Sequence, residues 1–157
     1  MVNRKEKESE QQFFGVVSQY VNDLSFEVIN APSRLHGSQE QPQIDVHLDV
    51  KTDKCDDLSS DHNVYAVNLA VTIQAKMDKP MFILELEYTG EFAIGGFGED
   101  ILDQILNIEC PRLLFPFVRS VIASAVGDGG FPPLYLSPID FVEFYEERKN
   151  KQSKASQ

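Results

Sequence analysis

Apolar and polar residues alternate with a period of two along four stretches of this chain, and after Gly96 the period becomes that of a helix. The first stretch is Asp23 to Val28, with Leu24, Phe26 and Val28 on one side and Asp23, Ser25 and Glu27 on the other, the pattern of a half-buried strand. Asn30-Ala-Pro-Ser33 stops it, and the segment to Pro42 reads as a loop punctuated by Pro32, Gly37 and Pro42. The second strand sets Ile44, Val46, Leu48 and Val50 against Asp45, His47 and Asp49, and a polar, Asp-rich loop over 51–63 follows it. The third is the clearest, with Tyr65, Val67, Leu69, Val71, Ile73 and Ala75 on one face. After a tight turn at Met77 to Pro80, the fourth places Phe82, Leu84, Leu86 and Tyr88 opposite Ile83, Glu85 and Glu87. It continues through Phe92 and Ile94 past a bulge expected near Gly90.

Beyond Gly95-Gly96 the apolar positions recur at helical spacing: Ile101, Leu102, Ile105 and Leu106, then Leu114, Phe117, Val118, Val121, Ile122 and Ala125. Pro111 and Pro116 each remove a backbone donor, at about 3 kcal/mol in a helix interior, so a kink or break is expected there. Gly127 to Gly130 ends the helix. Ser137-Pro-Ile-Asp140 then has the chemistry of a helix start, with Ser137 as cap and an acid three residues later, and a short amphipathic helix is predicted to run to about Lys149. Strands followed by helices make an α+β fold. The expected form is a four-stranded antiparallel sheet with a long kinked helix and a short C-terminal helix packed on one face. Residues 1–12 read as a disordered N-terminal segment, 13–149 as a single domain and 150–157 as a flexible C-terminal tail.

The length, 157 residues, is enough for one domain with a real core. Asp and Glu number 25 against 14 Lys and Arg, a formal net charge of -11. That balance argues against nucleic acid, which needs a basic footprint, and against adsorption to anionic lipid, and it favours a basic partner surface. No uninterrupted apolar run is long enough to span a bilayer, and the first twelve residues hold no apolar signal-peptide core. The chain is therefore expected to stay in the compartment where it is made, without membrane insertion. Cys55 and Cys110 show neither CxxC spacing nor a disulfide framework, and a reducing cytoplasm is the simpler reading.

Four places in the chain carry residues of catalytic or ligating type. Asp45, His47 and Asp49 share a strand face, but one strand supplies too few ligands in too flat a geometry for a metal, and nothing ties His36 or His62 to them. Cys110 lacks an identifiable base and reads as a buried structural thiol. Gly95-Gly-Phe-Gly98 lacks the Lys and Ser/Thr of a phosphate loop. Glu85 and Glu87 sit on a solvated face without the pocket an acid/base pair needs. No catalytic residue, metal site or cofactor is expected.

What the chain does offer is binding surface. The loop carrying Phe131, Leu134, Tyr135 and Leu136 is too apolar for an ordinary connection, and Phe13, Phe14, Val16 and Val17 are a second apolar cluster. For each, burial in the monomer core or at a subunit interface competes evenly with ligand binding. The helix from Ile101 to Ala125 carries more apolar surface than one face of such a sheet can cover, so Leu114, Phe117 and Val121 are expected at an interface between subunits.

Several short motifs, in order, carry a resemblance over roughly residues 12 to 148. They include Asp23-Leu-Ser-Phe-Glu27 with Asn30-Ala-Pro32, Gln41-Pro42, Val64-Tyr-Ala-Val67, Phe82 to Glu85 and Gly90 to Gly95. After these come Cys110-Pro111, Leu114-Phe-Pro-Phe117 with Arg119, Gly130-Phe-Pro132, and Leu136-Ser-Pro138 through Phe141. In this combination the chain resembles the SecB family of protein-export chaperones. The resemblance implies an ATP-independent cytoplasmic chaperone, a homotetramer built as a dimer of dimers, that holds secretory precursors unfolded and delivers them to the translocation ATPase SecA. It implies a SecA contact at Asp23, Glu27, Ile83 and Glu85, and a cover loop over Gly129 to Pro138 flanking the client groove, with Phe131, Leu134 and Leu136 in its lining. The tail from Glu146 is short and rather basic, which puts a second SecA contact there in doubt. The alternatives are a non-catalytic α+β interaction or scaffold domain with an acidic partner-binding face and, with no constellation behind it, a small α+β enzyme.

Overall fold

The computed structural model describes residues 11–36, 41–55 and 63–155, so the expected disorder of residues 1–10, Gly37, His62 and most of the Asp-rich loop lie outside the described residues. Four long strands, β1 (Phe13–Val28), β2 (Gln43–Cys55), β3 (Asn63–Lys76) and β4 (Pro80–Gly95), form one antiparallel sheet in the order β1-β4-β3-β2. Helices α1 (Glu99–Gln104), α2 (Cys110–Asp128) and α3 (Phe141–Ala155) follow, as the expected α+β class requires.

The core lies between the inner face of the sheet and α2. Val67, Leu69, Val71 and Ile73 from β3 and Leu84, Leu86, Phe92 and Ile94 from β4 are buried with Leu114, Val118, Ile122 and Val126 of α2, which recur every fourth residue on one helix face. Each such side chain contributes roughly 1.5–3 kcal/mol of apolar burial. Gly90 lets α2 approach: a Cβ there would lie 2.7 Å from the Phe92 ring and 2.8 Å from Leu114 Cδ2. The helical run from Glu99 to Asp128, 30 residues, is long and apolar enough by length and composition to cross a membrane, and here it lies against the sheet.

Several boundaries differ from the sequence reading, each for a physical reason. β1 begins ten residues before Asp23, because its register with β4 slips twice, between Val16 and Ser18 and between Val21 and Asp23. Each bulge reverses which residues face inward, so no single alternation survives along the strand. The bulges thus sit in β1, whereas Gly90 pairs in regular register with both Gln19 and Val67. β2 runs five residues beyond Val50, because Lys51 to Cys55 pair with Asn68 to Val64 although their side chains carry no apolar alternation.

The expected break at the prolines is a π turn over Ile105–Glu109 immediately before α2. Pro111 cannot donate to the carbonyl of Asn107, and the wider turn lets the Cys110 N–H donate to Ile105 O instead. Pro111 then lies in the first turn of α2, where the missing donor costs least, while Pro116 sits exposed inside an unbroken helix. The cap of α3 is Asp140, not Ser137: its Oδ1 accepts from the N–H groups of Val142 at 3.0 Å and Glu143 at 3.1 Å. Leu136 and Phe141 are both buried, and with these two anchors fixed residues 132–140 stay out of regular structure. α3 extends to Ala155, past the expected end at Lys149, so most of the segment read as a flexible tail is helical.

Candidate functional site

The sheet face turned away from the helices gathers acidic side chains. Asp23, Ser25 and Glu27 of β1 lie directly across from Glu87, Glu85 and Ile83 of β4. Opposed side chains on one sheet face stand about 4.5–5.5 Å apart at Cβ. Asp23, Glu27, Ile83 and Glu85 are thus brought together, and Glu87 joins them opposite Asp23, held from Asn22 Nδ2 at 3.5 Å. The rows continue across the sheet from Glu85 through Thr72 to His47 and from Glu87 through Ala70 to Asp49. Like charges directly opposed destabilise a sheet modestly, so this arrangement suits a surface that meets cations. Among the described residues no group of three or more His, Cys, Asp or Glu side chains is placed to hold a metal ion.

The apolar loop after α2 divides into an anchored and a presented part. Gly130 takes φ +89°, which favours glycine, and the Phe131 N–H donates to Val126 O at 3.2 Å, so the chain turns back over the sheet. Phe131 is only 5 % exposed; its ring lies 4.9 Å from that of Phe82 and 6.4 Å from that of Phe26. Gly129 sits under Phe26, where a Cβ would come within 2.2 Å of the ring. Leu136 is buried as well. Phe131 and Leu136, expected in an open groove lining, therefore pin the loop to the sheet, and of the expected lining residues Leu134 alone keeps partial exposure. Tyr135 is the presented side chain, 66 % exposed with the Arg119 guanidinium 6.0 Å from its ring centroid. Beside it lies an open cavity of about 610 Å³ bordered by Pro116, Ser120, Ala123, Gly127 and Pro133.

A third surface is apolar. β1 leaves Phe14, Val16, Val21, Leu24 and Val28 exposed on the helix side of the sheet edge, and α2 leaves Leu113 and Phe117 exposed beside it. Phe117 stacks parallel to Tyr88 with ring centroids 6.4 Å apart. Val121 is half-buried. Leu114, expected at a subunit interface, is 0 % exposed within the single chain: its place on the core face of α2, against Gly90, leaves it no surface for a neighbour. The signal for the β1 part was present in Phe13 to Val21, but the two bulges concealed its strand periodicity.

Burial pushes the Cys110 thiol up to about 12, with the nearby Glu109 carboxylate adding to the shift. The thiol form is the folded state's preference, so its contribution to stability is present below about pH 9 and fades as pH rises toward 12. The expected outcome at pH 8 is that Cys110 resists iodoacetamide in the native protein and reacts only on unfolding, which peptide mapping reads directly.

The model of the family described as "Preprotein translocase subunit SecB" matches residues 7–152. A relative described as "Protein-export protein SecB" from Mesorhizobium japonicum is 43 % identical over 147 residues, covering 93 % of this chain and 85 % of the relative. Another of the same description, from Parvibaculum lavamentivorans, is 44 % identical over 133 residues, covering 85 % and 77 %. Among solved structures, a SecB-like chaperone of Mycobacterium tuberculosis in complex with a peptide of the HigA1 antitoxin aligns with a TM-score of 0.65 over 80 % of this chain and 90 % of that one. Its sequence identity of 15 % makes that a likeness of fold.

Proposed function

Since this chain belongs to the SecB family of protein-export chaperones, we propose that it holds secretory precursors unfolded in the cytoplasm and passes them to the SecA ATPase, as a homotetramer and without nucleotide. The observation that carries this reading is the division of the surface into two chemistries. One side of the sheet is acidic and solvated, with Asp23, Glu27, Glu85 and Glu87 in register across β1 and β4. The other side leaves apolar side chains open around the loop after α2, Tyr135 and Leu134 among them. An unfolded precursor exposes apolar side chains and unpaired amides, and an apolar surface beside a strand edge holds both without reading sequence. The acidic face stays available to SecA while a client is held. Several weak anchors on each of four subunits give tight capture through effective concentration.

The test is whether the purified protein, with no nucleotide, arrests refolding of a slow-folding precursor that carries its signal peptide. Arrest at about one tetramer per precursor is expected, and unhindered refolding overturns the reading. The loop contributes through its presented part. Leu134→Ser with Tyr135→Ser is expected to weaken capture by about tenfold or more, since each buried Leu or aromatic ring contributes roughly 1.5–3 kcal/mol before ordering costs. Phe131→Ser acts on the fold instead, because it removes a core ring at about 3–5 kcal/mol. Capture by the double variant at wild-type affinity, read by fluorescence anisotropy, places the client elsewhere.

A further inference from the structure

We propose that α3 is a hinged arm, pivoting at Phe141 and closed by a catch at the Asp103 carboxylate, that shields apolar side chains of the π turn from solvent. This goes beyond the chaperone reading and does not depend on it. The pivot is apolar. Phe141 alone of α3 is buried, its ring 5.9 Å from that of Phe115 in the core. Residues 132–140, just ahead of it, are out of regular structure, so no helix or strand stiffens the joint. Past the pivot the packing thins. Phe144 and Tyr145 are half-buried, and every residue from Lys149 to Ala155 is exposed.

The catch is polar. Asp103 lies in the last turn of α1, and its carboxylate gathers groups from the π turn and α3. The Tyr145 hydroxyl donates to Oδ2, and Lys149 Nζ stands 3.9 Å from the same oxygen. Asn107 Nδ2, in the π turn, donates to Oδ1 at 3.2 Å and to the Asp103 carbonyl at 2.8 Å. Tyr145 and Lys149 are four apart on one face of α3, and the ammonium lies 4.7 Å from the ring centroid. Lys149 is held above the usual lysine range, first by its hydrogen bond with the Tyr145 hydroxyl, then by the Asp103 and Asp100 carboxylates. Arg148 adds a flanking tie, to the Val50 carbonyl at 2.7 Å and to Asp49 at 3.7 Å. What the arm covers is apolar. Tyr145 and Val142 border, with Ile101, Ile105 and Ile108, an open cavity of about 450 Å³ between α3 and the helical run that enters α2. Ile101 is exposed already, whereas Ile105 is half-buried and Ile108 buried, so release of the arm joins the three into one apolar patch. Exposed ion pairs contribute little each and weaken with salt. Docked and released states of an arm held by them lie close in free energy, as in other low-stability elements.

Amide exchange read by mass spectrometry on the full-length protein, with the fluorescence of the neutral dye Nile red, tests the arm. A helix of 15 residues is marginal alone in water, so α3 frays once released and its amides report the release. Lys149→Glu sets a carboxylate against Asp103 and Asp100 in place of the ammonium. Exchange over 143–155 is expected to speed by about three- to tenfold, and Nile red emission to rise, while β3 and β4 keep their protection. Tyr145→Phe, which deletes only the hydroxyl, is expected to act in the same direction by about two- to fivefold. Asp103→Lys combined with Lys149→Glu exchanges the two charges, keeps the net charge and is expected to return both readings to about the wild-type level. The inference is overturned if Lys149→Glu leaves α3 exchange within about twofold of the wild type, or if the exchanged pair fails to restore it. Faster exchange in α3 without a gain in Nile red emission overturns it as well, because the arm then covers no apolar surface. So does exchange that rises in β3 and β4 together with α3, because α3 then opens only with the whole chain.

Discussion

A protein carrying Asp23→Lys and Glu85→Lys together is expected to fold, assemble and capture unfolded chains as the wild type does, and to lose SecA. Asp23 and Glu85 lie on adjacent strands of the outer face, one register step apart, and both are exposed. Substitutions at such positions usually change stability by under about 0.5 kcal/mol. Reversal does more than remove an attraction, because it places two cations against a basic partner, and like charges juxtaposed at an interface cost several kcal/mol. A loss of about a hundredfold or more in affinity follows. The wild-type contact should weaken as salt is raised past physiological strength, where the Debye length is about 8 Å. Glu27→Lys, on the same strand face and opposite Ile83, should act in the same direction. Titration calorimetry against SecA reads all of these, and an undiminished affinity in the double variant places the contact on another surface.

Equally large is the expected effect of Phe117→Asp with Val16→Asp on assembly. Both side chains are about half exposed in the single chain, 47 % and 52 %, on the helix side of the sheet where β1 and α2 leave an apolar strip. A contiguous apolar patch of this kind marks an interaction surface. If a second copy covers it, each aspartate becomes a buried unpaired charge, which is expensive enough to disrupt the contact. Sedimentation should then show species approaching one chain of 17.7 kDa in place of the proposed tetramer. Leu114→Asp would not make the same test, because it strikes the core of each chain and unfolds it. A tetramer that survives the double substitution assigns the interface to other residues.

The residues that the sequence marks most strongly are those whose environment is repeated along the chain. β3 and β4 are central strands with one face on α2, so Val67 to Ile73 and Phe82 to Leu86 alternate plainly, and the outward positions of Glu85 and Glu27 follow from the same parity. The helical spacing of Leu114, Val118 and Ile122 is equally local in origin, since one helix face meets one sheet. These patterns, with the ordered Cys-Pro, Leu-Phe-Pro and Phe-Pro motifs, are enough for the α+β class and the family. The tertiary structure decided what depends on partners distant in sequence. That β1 crosses to pair with β4, putting Asp23 opposite Glu87, is a matter of which strand edge remained open, and no local pattern encodes it. The two bulges that hide the first half of β1 exist only relative to that partner. Which loop residues anchor and which are presented was likewise settled by packing: Phe131 found the rings of Phe26 and Phe82, Leu136 found the core, and Tyr135 was left to solvent. A sequence states the chemistry of each side chain, but burial belongs to the pair of surfaces that meet, and only the folded chain brings both together.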